Sequence, residues 1–351
     1  MGKRIAIAGC AVLDHYKTID MYPEHSTLTT VRERWHEVGG ALCNCAIDLA
    51  RLDPDLKIKA IGRVGDDDNG RIVCDTLMKY ENIDVSGVIS SGQSSFTDVM
   101  IDISHQTRTF FHFRGANALL DIEDFRLYEL EADLLHVGYL LLLDRLDAMD
   151  PEFGTRMARL LADAQRLGIK TSIDVVSENS DRFQKIVLPA LPFTDYCLMN
   201  EYEAEKTTGI RLRDLNNQLQ TDKLQQACEQ LFSIGVRHWV VIHAREGAVG
   251  VSRDGECVRV PALDVPKERI VSTTGAGDAL VSGVLYGALH DYNLLDAVRL
   301  GIATATRSLL ADNANDGVIP LKQMNDWLAT CKYEQWPGFM VSDTKDVRHQ
   351  R

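Results

Sequence analysis

The feature that most constrains this chain is a repeated alternation of short apolar runs with amphipathic helical stretches. Residues 4–9 (Arg-Ile-Ala-Ile-Ala-Gly), 57–64, 134–138, 170–175, 196–199 and 239–243 read as buried strands. Between them, 40–52, 69–80, 151–167 and 224–234 carry apolar residues at helical spacing; in the first, Leu42, Ala46, Leu49 and Ala50 share one side. A strand that returns through a helix to a neighbouring strand runs parallel to it, and the helices cover both faces. From residue 272 onward the pattern turns helical, over 276–290, 294–310 and 320–330. The expected fold is α/β, a three-layer αβα core around a mainly parallel sheet.

Two segments break this rhythm. Residues 16–37 and 95–114 alternate apolar with polar, and 104–107 reads as a turn that makes the second segment a hairpin. They are expected to pair as a small sheet beside the core, placed to cover a cleft as a water-excluding lid. The alternative is a purely structural insertion. One domain over 1–333, with lid segments at 16–37 and 95–114, and a polar tail over 334–351 complete the expected organisation.

Composition narrows the function classes. A formal net charge of −13 argues against a nucleic-acid partner, which needs dense Lys/Arg contacts to phosphates. Eight scattered cysteines without a zinc spacing read as reduced thiols of a cytoplasmic protein. No apolar run approaches the ~20 residues that span a bilayer, so a soluble protein without a membrane partner is expected.

Two strings carry chemistry. Ser272-Thr273-Thr274-Gly275-Ala276-Gly277-Asp278-Ala279 follows a strand-like run at 268–271 and opens a long apolar helix. Its glycines let backbone approach a bulky anion, and free amides at a helix start point at it. Asp278, in the first turn, is placed to take the proton of an attacking hydroxyl. The bland reading is a glycine turn with an acidic residue that suits the helix dipole. The second string is Val38-Gly39-Gly40-Ala41-Leu42-Cys43-Asn44. Bare backbone plus the Asn44 amide, one turn into a helix, makes a surface for polar hydroxyls; the bland reading is a turn and a capping asparagine. Neither string is a Walker A loop or a dinucleotide fingerprint.

Together, in this order, the strings resemble the signatures of the ribokinase-like (PfkB) carbohydrate kinase family. Further matches stand in register: Asp14 ending the first strand, Gly65-Asp66-Asp67-Asp68-Asn69-Gly70, Gly115-Ala116-Asn117-Ala118 and Asn200-Glu201-Tyr202-Glu203, so the resemblance covers roughly 4–330. It implies an ATP-dependent kinase that phosphorylates a hydroxyl of a small sugar-like metabolite. Asp278 would be the catalytic base, and Gly275, Ala276 and Gly277 the anion hole. Asp14, Gly39, Gly40 and Asn44 would bind substrate. Asn200, Glu203, Thr274 and Asn313 would meet the nucleotide, with Glu203 positioning Mg²⁺ through water. Arg114 ends the second lid segment; in relatives acting on acidic sugars an arginine at a similar position meets the carboxylate, and the alternative is a solvated lid residue.

Two departures from the family pattern stand out. Ser272 replaces a common Asp in a loop that helps form a monovalent-cation site, which puts cation activation in doubt. Ala244 replaces the first glycine of a nucleotide-side pair, in Ala244-Arg245-Glu246-Gly247. A nucleoside kinase of the same fold, or a catalytically weak sugar-sensing protein, remain as rival readings; the intact Asp278 argues against the second. Apolar residues at alternating lid positions lead us to expect a homodimer joined through the lids.

Overall fold

A computed structural model describes residues 2–105 and 107–336. The chain opens with β1 (Arg4–Gly9), β2 (Val12–Ile19), β3 (Val31–Gly39) and α1 (Ala41–Leu52), then β4 (Lys57–Val64), α2 (Asp68–Leu77) and β5 (Ile83–Ser90). The hairpin β6 (Phe96–Asp102) and β7 (Thr107–Phe113) precedes β8 (Leu134–Leu140) and the single turn α3 (Asp144–Asp147). A two-residue pair, β9 (Met149–Asp150) and β10 (Gly154–Thr155), leads into α4 (Arg156–Arg166) and β11 (Lys170–Val175). Then come α5 (Phe183–Val187), β12 (Tyr196–Asn200), α6 (Glu201–Thr208), α7 (Thr221–Ile234), β13 (Trp239–Ala244), β14 (Gly247–Ser252) and β15 (Cys257–Pro261). The helices α8 (Ala276–Leu289), α9 (Leu294–Ser308) and α10 (Leu321–Leu328) close the described chain.

The main sheet has nine strands in the order β15-β14-β13-β12-β11-β8-β1-β4-β5. It is parallel from β5 to β13, and β14 and β15 add an antiparallel edge. Alternation along β1 sorts the core: Ile5 and Ile7 pack with α1, α8 and α9 on one face, Ala6 and Ala8 with α4 and α7 on the other. Each Leu or Ile sealed in these layers contributes about 1.5–3 kcal/mol. Helix α8 is apolar on every side, and everything from Asp278 to Leu289 in it is buried. Its packing on α1 brings the two sequence strings together.

The segments that broke the rhythm form a second sheet, in the order β3-β2-β6-β7. Its roots are stapled to the core. Asp67, which caps α2 by accepting from the Gly70 amide (2.9 Å), also accepts from the Ser94 amide (2.8 Å) and hydroxyl (2.6 Å) just before β6. Asn117 accepts from the Ala11 amide and donates to the Ala11 carbonyl, both at 3.1 Å. Two of the motif matches therefore hold the lid's attachment.

Three details differ from the sequence reading. The run at 268–271 is not a strand: Lys267–Arg269 forms a short 3₁₀ turn, away from any sheet edge. The helix expected from 151 begins only at Arg156, because Thr155 caps it by accepting from the Ala158 amide (3.2 Å). Strands β5, β14 and β15 were not expected. Of the polar tail, residues 337–351 lie outside the described residues.

Candidate active site

The turn before α8 sets the site. Gly275 takes a left-handed φ of 79°, and a Cβ there would fall 2.4 Å from the Ala314 Cβ, so only glycine fits. The first helical bond runs from the Ala279 amide to the Gly275 carbonyl (2.9 Å). The amides of Ala276, Gly277 and Asp278 are thus free to point out of the helix end, where the dipole adds about half a positive charge. The Asp278 carboxylate accepts from the Asn44 side-chain amide (2.7 Å) and from the Tyr139 hydroxyl, 2.7 Å from each oxygen. Burial raises its pKa, and these two donors pull it back down.

The Gly39-Gly40 turn opens α1 with a φ of 85° at Gly40, where a Cβ would meet the Cys10 carbonyl oxygen at 2.4 Å. Asp14, on β2, lies against Gly39 and pairs across the sheet with Glu37. Burial pushes the Asp14 carboxyl up to about 6, against a hydrogen bond from Thr97 that lowers it. The structure brings Asp14, Gly39, Gly40, Asn44 and Asp278 together at one edge of the cleft below the small sheet. Asn315 reinforces this edge: its amide donates to the Asn44 carbonyl (3.1 Å) and to the buried Asp48 carboxylate (2.8 Å).

On the other side, Asn200 and Glu203 form a reciprocal cap on α6. Glu203 also accepts from the Ser177 hydroxyl (2.8 Å) and the Asn200 amide (2.6 Å). Burial nonetheless pushes Glu203 up to about 7. Asp174, at the end of β11, is raised well above the carboxylate range by burial, then by Glu203 and Asp278. Among the described residues, no three His, Cys, Asp or Glu side chains stand close enough to hold a metal ion by themselves. Three buried carboxylates short of positive charge nonetheless fit a hydrated divalent cation held through its waters. Asn313 turns to Asp316 (2.6 Å) and lines a cavity of about 430 Å³ with His36, Glu37 and Lys79. Ser272 is used within its own loop, accepting from the Thr274 amide (3.2 Å).

Arg114 is engaged rather than solvated. It donates to the Leu141 carbonyl (2.8 Å), Asp144 (2.5 Å) and Glu178 (2.8 Å). Arg182 reaches the same carbonyl (2.7 Å) and the other oxygen of Glu178 (2.5 Å). Two guanidinium groups thus clasp one carboxylate just past the carboxyl ends of β8 and β11.

Sequence reasoning missed Tyr139, Asp174, Arg182 and His243. Tyr139 and Asp174 occupy the carboxyl ends of parallel strands, where ligands of open α/β sheets bind, and that placement was the available signal. His243 ends β13 with its ring 3.6 Å from where a Gly277 Cβ would stand; burial pushes the imidazole down to about 4, so it is neutral.

A mixed nine-stranded sheet, a small covering sheet and an anion-receiving helix start define a ribokinase-like kinase. The similarity to solved structures is of that kind: Arabidopsis thaliana ribokinase complexed with ribose and ATP matches with a TM-score of 0.75 at 18% identity, over 93% of this chain and 99% of that one. A nucleoside kinase from Methanocaldococcus jannaschii matches with a TM-score of 0.67 at 20% identity, over 94% and 99%. At these identities the fold alone is shared. The chain belongs to the pfkB family of carbohydrate kinases, whose model matches residues 6–320. Among curated relatives, 5-dehydro-2-deoxygluconokinase of Clostridium perfringens is 25% identical over 342 residues, 92% of this chain and 93% of that protein. Among the described residues no helix is long and apolar enough to cross a membrane.

Proposed function

We propose that this protein transfers the γ-phosphoryl group of ATP to a hydroxyl of a sugar acid, with Asp278 as general base. The observation that carries the reading is the Asp278 carboxylate, buried beside the free amides of the α8 start and held by Asn44 and Tyr139. A carboxylate with a raised pKa is a stronger base than a free aspartate, and two donors keep it in the ionised form that accepts a proton. The substrate hydroxyl gives its proton to Asp278 as its oxygen bonds to the γ-phosphorus. The bond from that phosphorus to the bridging oxygen breaks, and its electron pair leaves with ADP. The amides of Gly275, Ala276 and Gly277 receive the charge on the transferred group.

Asp14, Asn44 and the Gly39-Gly40 backbone orient the sugar. Glu203, with Asp174 behind it, would hold Mg²⁺ through water, and the bound ion would neutralise charge on the ATP phosphates. The relatives named 5-dehydro-2-deoxygluconokinase support an acidic substrate, and the Arg114–Arg182 pair supplies the planar donors a carboxylate needs. Substrate carboxylate would take the place now held by Glu178.

The test is a phosphorylation panel of sugar acids, neutral sugars and nucleosides with ATP and Mg²⁺. Turnover of acids, 5-dehydro-2-deoxygluconate among them, is expected to exceed that of the others. Asp278→Asn should lower the single-turnover rate by about 10²–10⁴-fold with substrate affinity nearly unchanged. Preference for a nucleoside, or an Asp278→Asn variant keeping more than about a tenth of the rate, would overturn it.

A further inference from the structure

We propose that Arg108, carried on the lid strand β7, is a catalytic residue whose guanidinium meets the phosphoryl group in transfer. The inference rests on the reaction proposed above. Strand register fixes the face on which Arg108 lies. Glu37, Asp14, Thr97 and His112 form one cross-strand row, and Trp35, Tyr16, Val99 and Phe110 form the next. Arg108 follows in the third row, opposite Ile101 and in line with Thr18 and Glu33. Paired residues share a face, so Arg108 shares the face of Asp14, the one turned toward the substrate pocket.

From there Arg108 crosses to the core. Its Nη1 donates to the Thr274 Oγ1 at 2.8 Å, between residues 166 apart in sequence, and Thr274 directly precedes the Gly275 turn. This is a lid cation laid on the loop whose amides form the anion hole. Unlike Arg63, Arg114, Arg156 and Arg213, each ion-paired, Arg108 makes no ion pair among the described residues. Its head group has donors to spare.

The electrostatics of the pocket give those donors a use. Asp14, Asp174, Glu203 and Asp278 converge there, and each has its pKa raised by burial. Such a site repels a triphosphate unless positive charge is delivered locally. Phosphoryl transfer depends on positioning and charge stabilisation, and the planar guanidinium fork matches phosphate oxygens. During transfer the hydroxyl proton goes to Asp278, the new O–P bond forms and the old one breaks toward ADP. Arg108 neither gains nor loses a proton; its N–H groups turn from the Thr274 hydroxyl to the equatorial phosphoryl oxygens. Because Arg108 reaches Thr274 from the small sheet, this contact ties that sheet to the site of transfer.

The test uses the full chain with Arg108→Ala and Arg108→Gln, the second keeping a donor for Thr274 but no charge. Two readouts are taken: binding of ADP with aluminium fluoride, which mimics the planar phosphoryl group, and single-turnover phosphorylation of the acid the wild type uses. Both variants should bind ADP–fluoroaluminate at least about 30-fold more weakly while binding ADP alone as the wild type does. Both should transfer phosphate about 10²–10³-fold more slowly. Affinity for the acceptor should stay within about threefold and the melting temperature within about 2 °C, a pattern that loss of an interaction made only in the transition state produces. Wild-type affinity for the fluoroaluminate complex, or an Arg108→Gln variant with near-wild-type rate, overturns the inference and leaves Arg108 a latch. If the wild type binds that complex tightly but phosphorylates no sugar acid, the acceptor assignment fails instead and the Arg108 inference is judged on binding alone.

Discussion

Tyr139 donates its hydroxyl to both oxygens of Asp278, at 2.7 Å each, from the carboxyl end of the strand beside β1. Hydrogen bonds to an ionised carboxylate lower its pKa, so Tyr139 tunes the proposed base Asp278 rather than merely packing against it. Tyr139→Phe removes the donor and should raise the Asp278 pKa. The acid limb of the pH profile of kcat/KM should then move up by about one unit, since a charged hydrogen bond is worth about 1.5–3 kcal/mol and some of it is recovered by water. An unmoved limb would detach Asp278 from that ionisation.

Asp147 carries a pH signature in stability. One oxygen accepts from the Leu141 amide (3.2 Å), while the other is buried without a partner, and burial pushes the carboxyl up to about 7. An unfolded aspartate titrates near 3.8. Between these values the folded state holds a proton that the unfolded state has released. Stability therefore falls as pH rises from about 4 to about 7, by an upper limit on the order of 4 kcal/mol. Asp147→Asn keeps the acceptor and removes the charge. It should melt close to wild type at about pH 4 and increasingly above it from there to pH 8; equal melting at pH 8 would mean that Asp147 ionises in the fold without cost.

Removing Arg114 should separate acidic from neutral acceptors. Arg114→Ala takes away one arm of the clasp on Glu178 and is expected to raise KM for a sugar acid by roughly 10–150-fold, the equivalent of a lost charge-assisted contact. Neutral sugars should change little. Equal effects on both would mark Arg114 as a structural tie among Leu141, Asp144 and Glu178.

The lid exposes large aromatic rings on both faces: Phe110 (61% exposed) and Trp35 (39%) on the face of Asp14, and Phe111 (53%) and Phe113 (41%) two residues apart on the opposite face. A monomer rarely leaves such a patch in water. Light scattering at micromolar concentration should return a dimer mass, and Phe111→Asp with Phe113→Asp, on the face turned away from Asp14, should shift it to the monomer. A monomeric wild type would show that these rings serve the lid's own closure.

What was legible in the sequence follows from what the residues encode locally. Asp278 and Asn44 stood out because glycine turns and a helix start announce them. The strands at 57–64 and 170–175 were recovered with the boundaries of β4 and β11 from their place between helical stretches, although Lys57, Lys59 and Arg63 interrupt the first and Lys170, Thr171, Ser172 and Asp174 the second. Strand β14 (Gly-Ala-Val-Gly-Val-Ser) was missed because its glycines read as turn; in the fold, Gly250 is a strand residue packed under Leu294 and Val298 of α9. The run at 268–271 looked like a strand, yet no neighbouring strand offers it hydrogen bonds, so it settles as a turn. Tyr139 and Arg108 carry no local signature. Their placement depends on which strand lies beside β1 and on how the small sheet folds over the core, and neither is written in spacing.

The Asn44–Asp278 bond joins residues 234 positions apart. At roughly 5–20 residues per second of synthesis, the half of the chain that presents Asn44 leaves the ribosome on the order of 10–50 s before its partner does. Over that interval the nascent chain has its Gly39-Gly40 segment but lacks the proposed base and anion hole. On the proposed mechanism it cannot phosphorylate its substrate until α8 packs against α1. If Asp278 is the base, as proposed, the last long helices to be made complete the active site, and a chain that terminates before residue 276 should be catalytically silent.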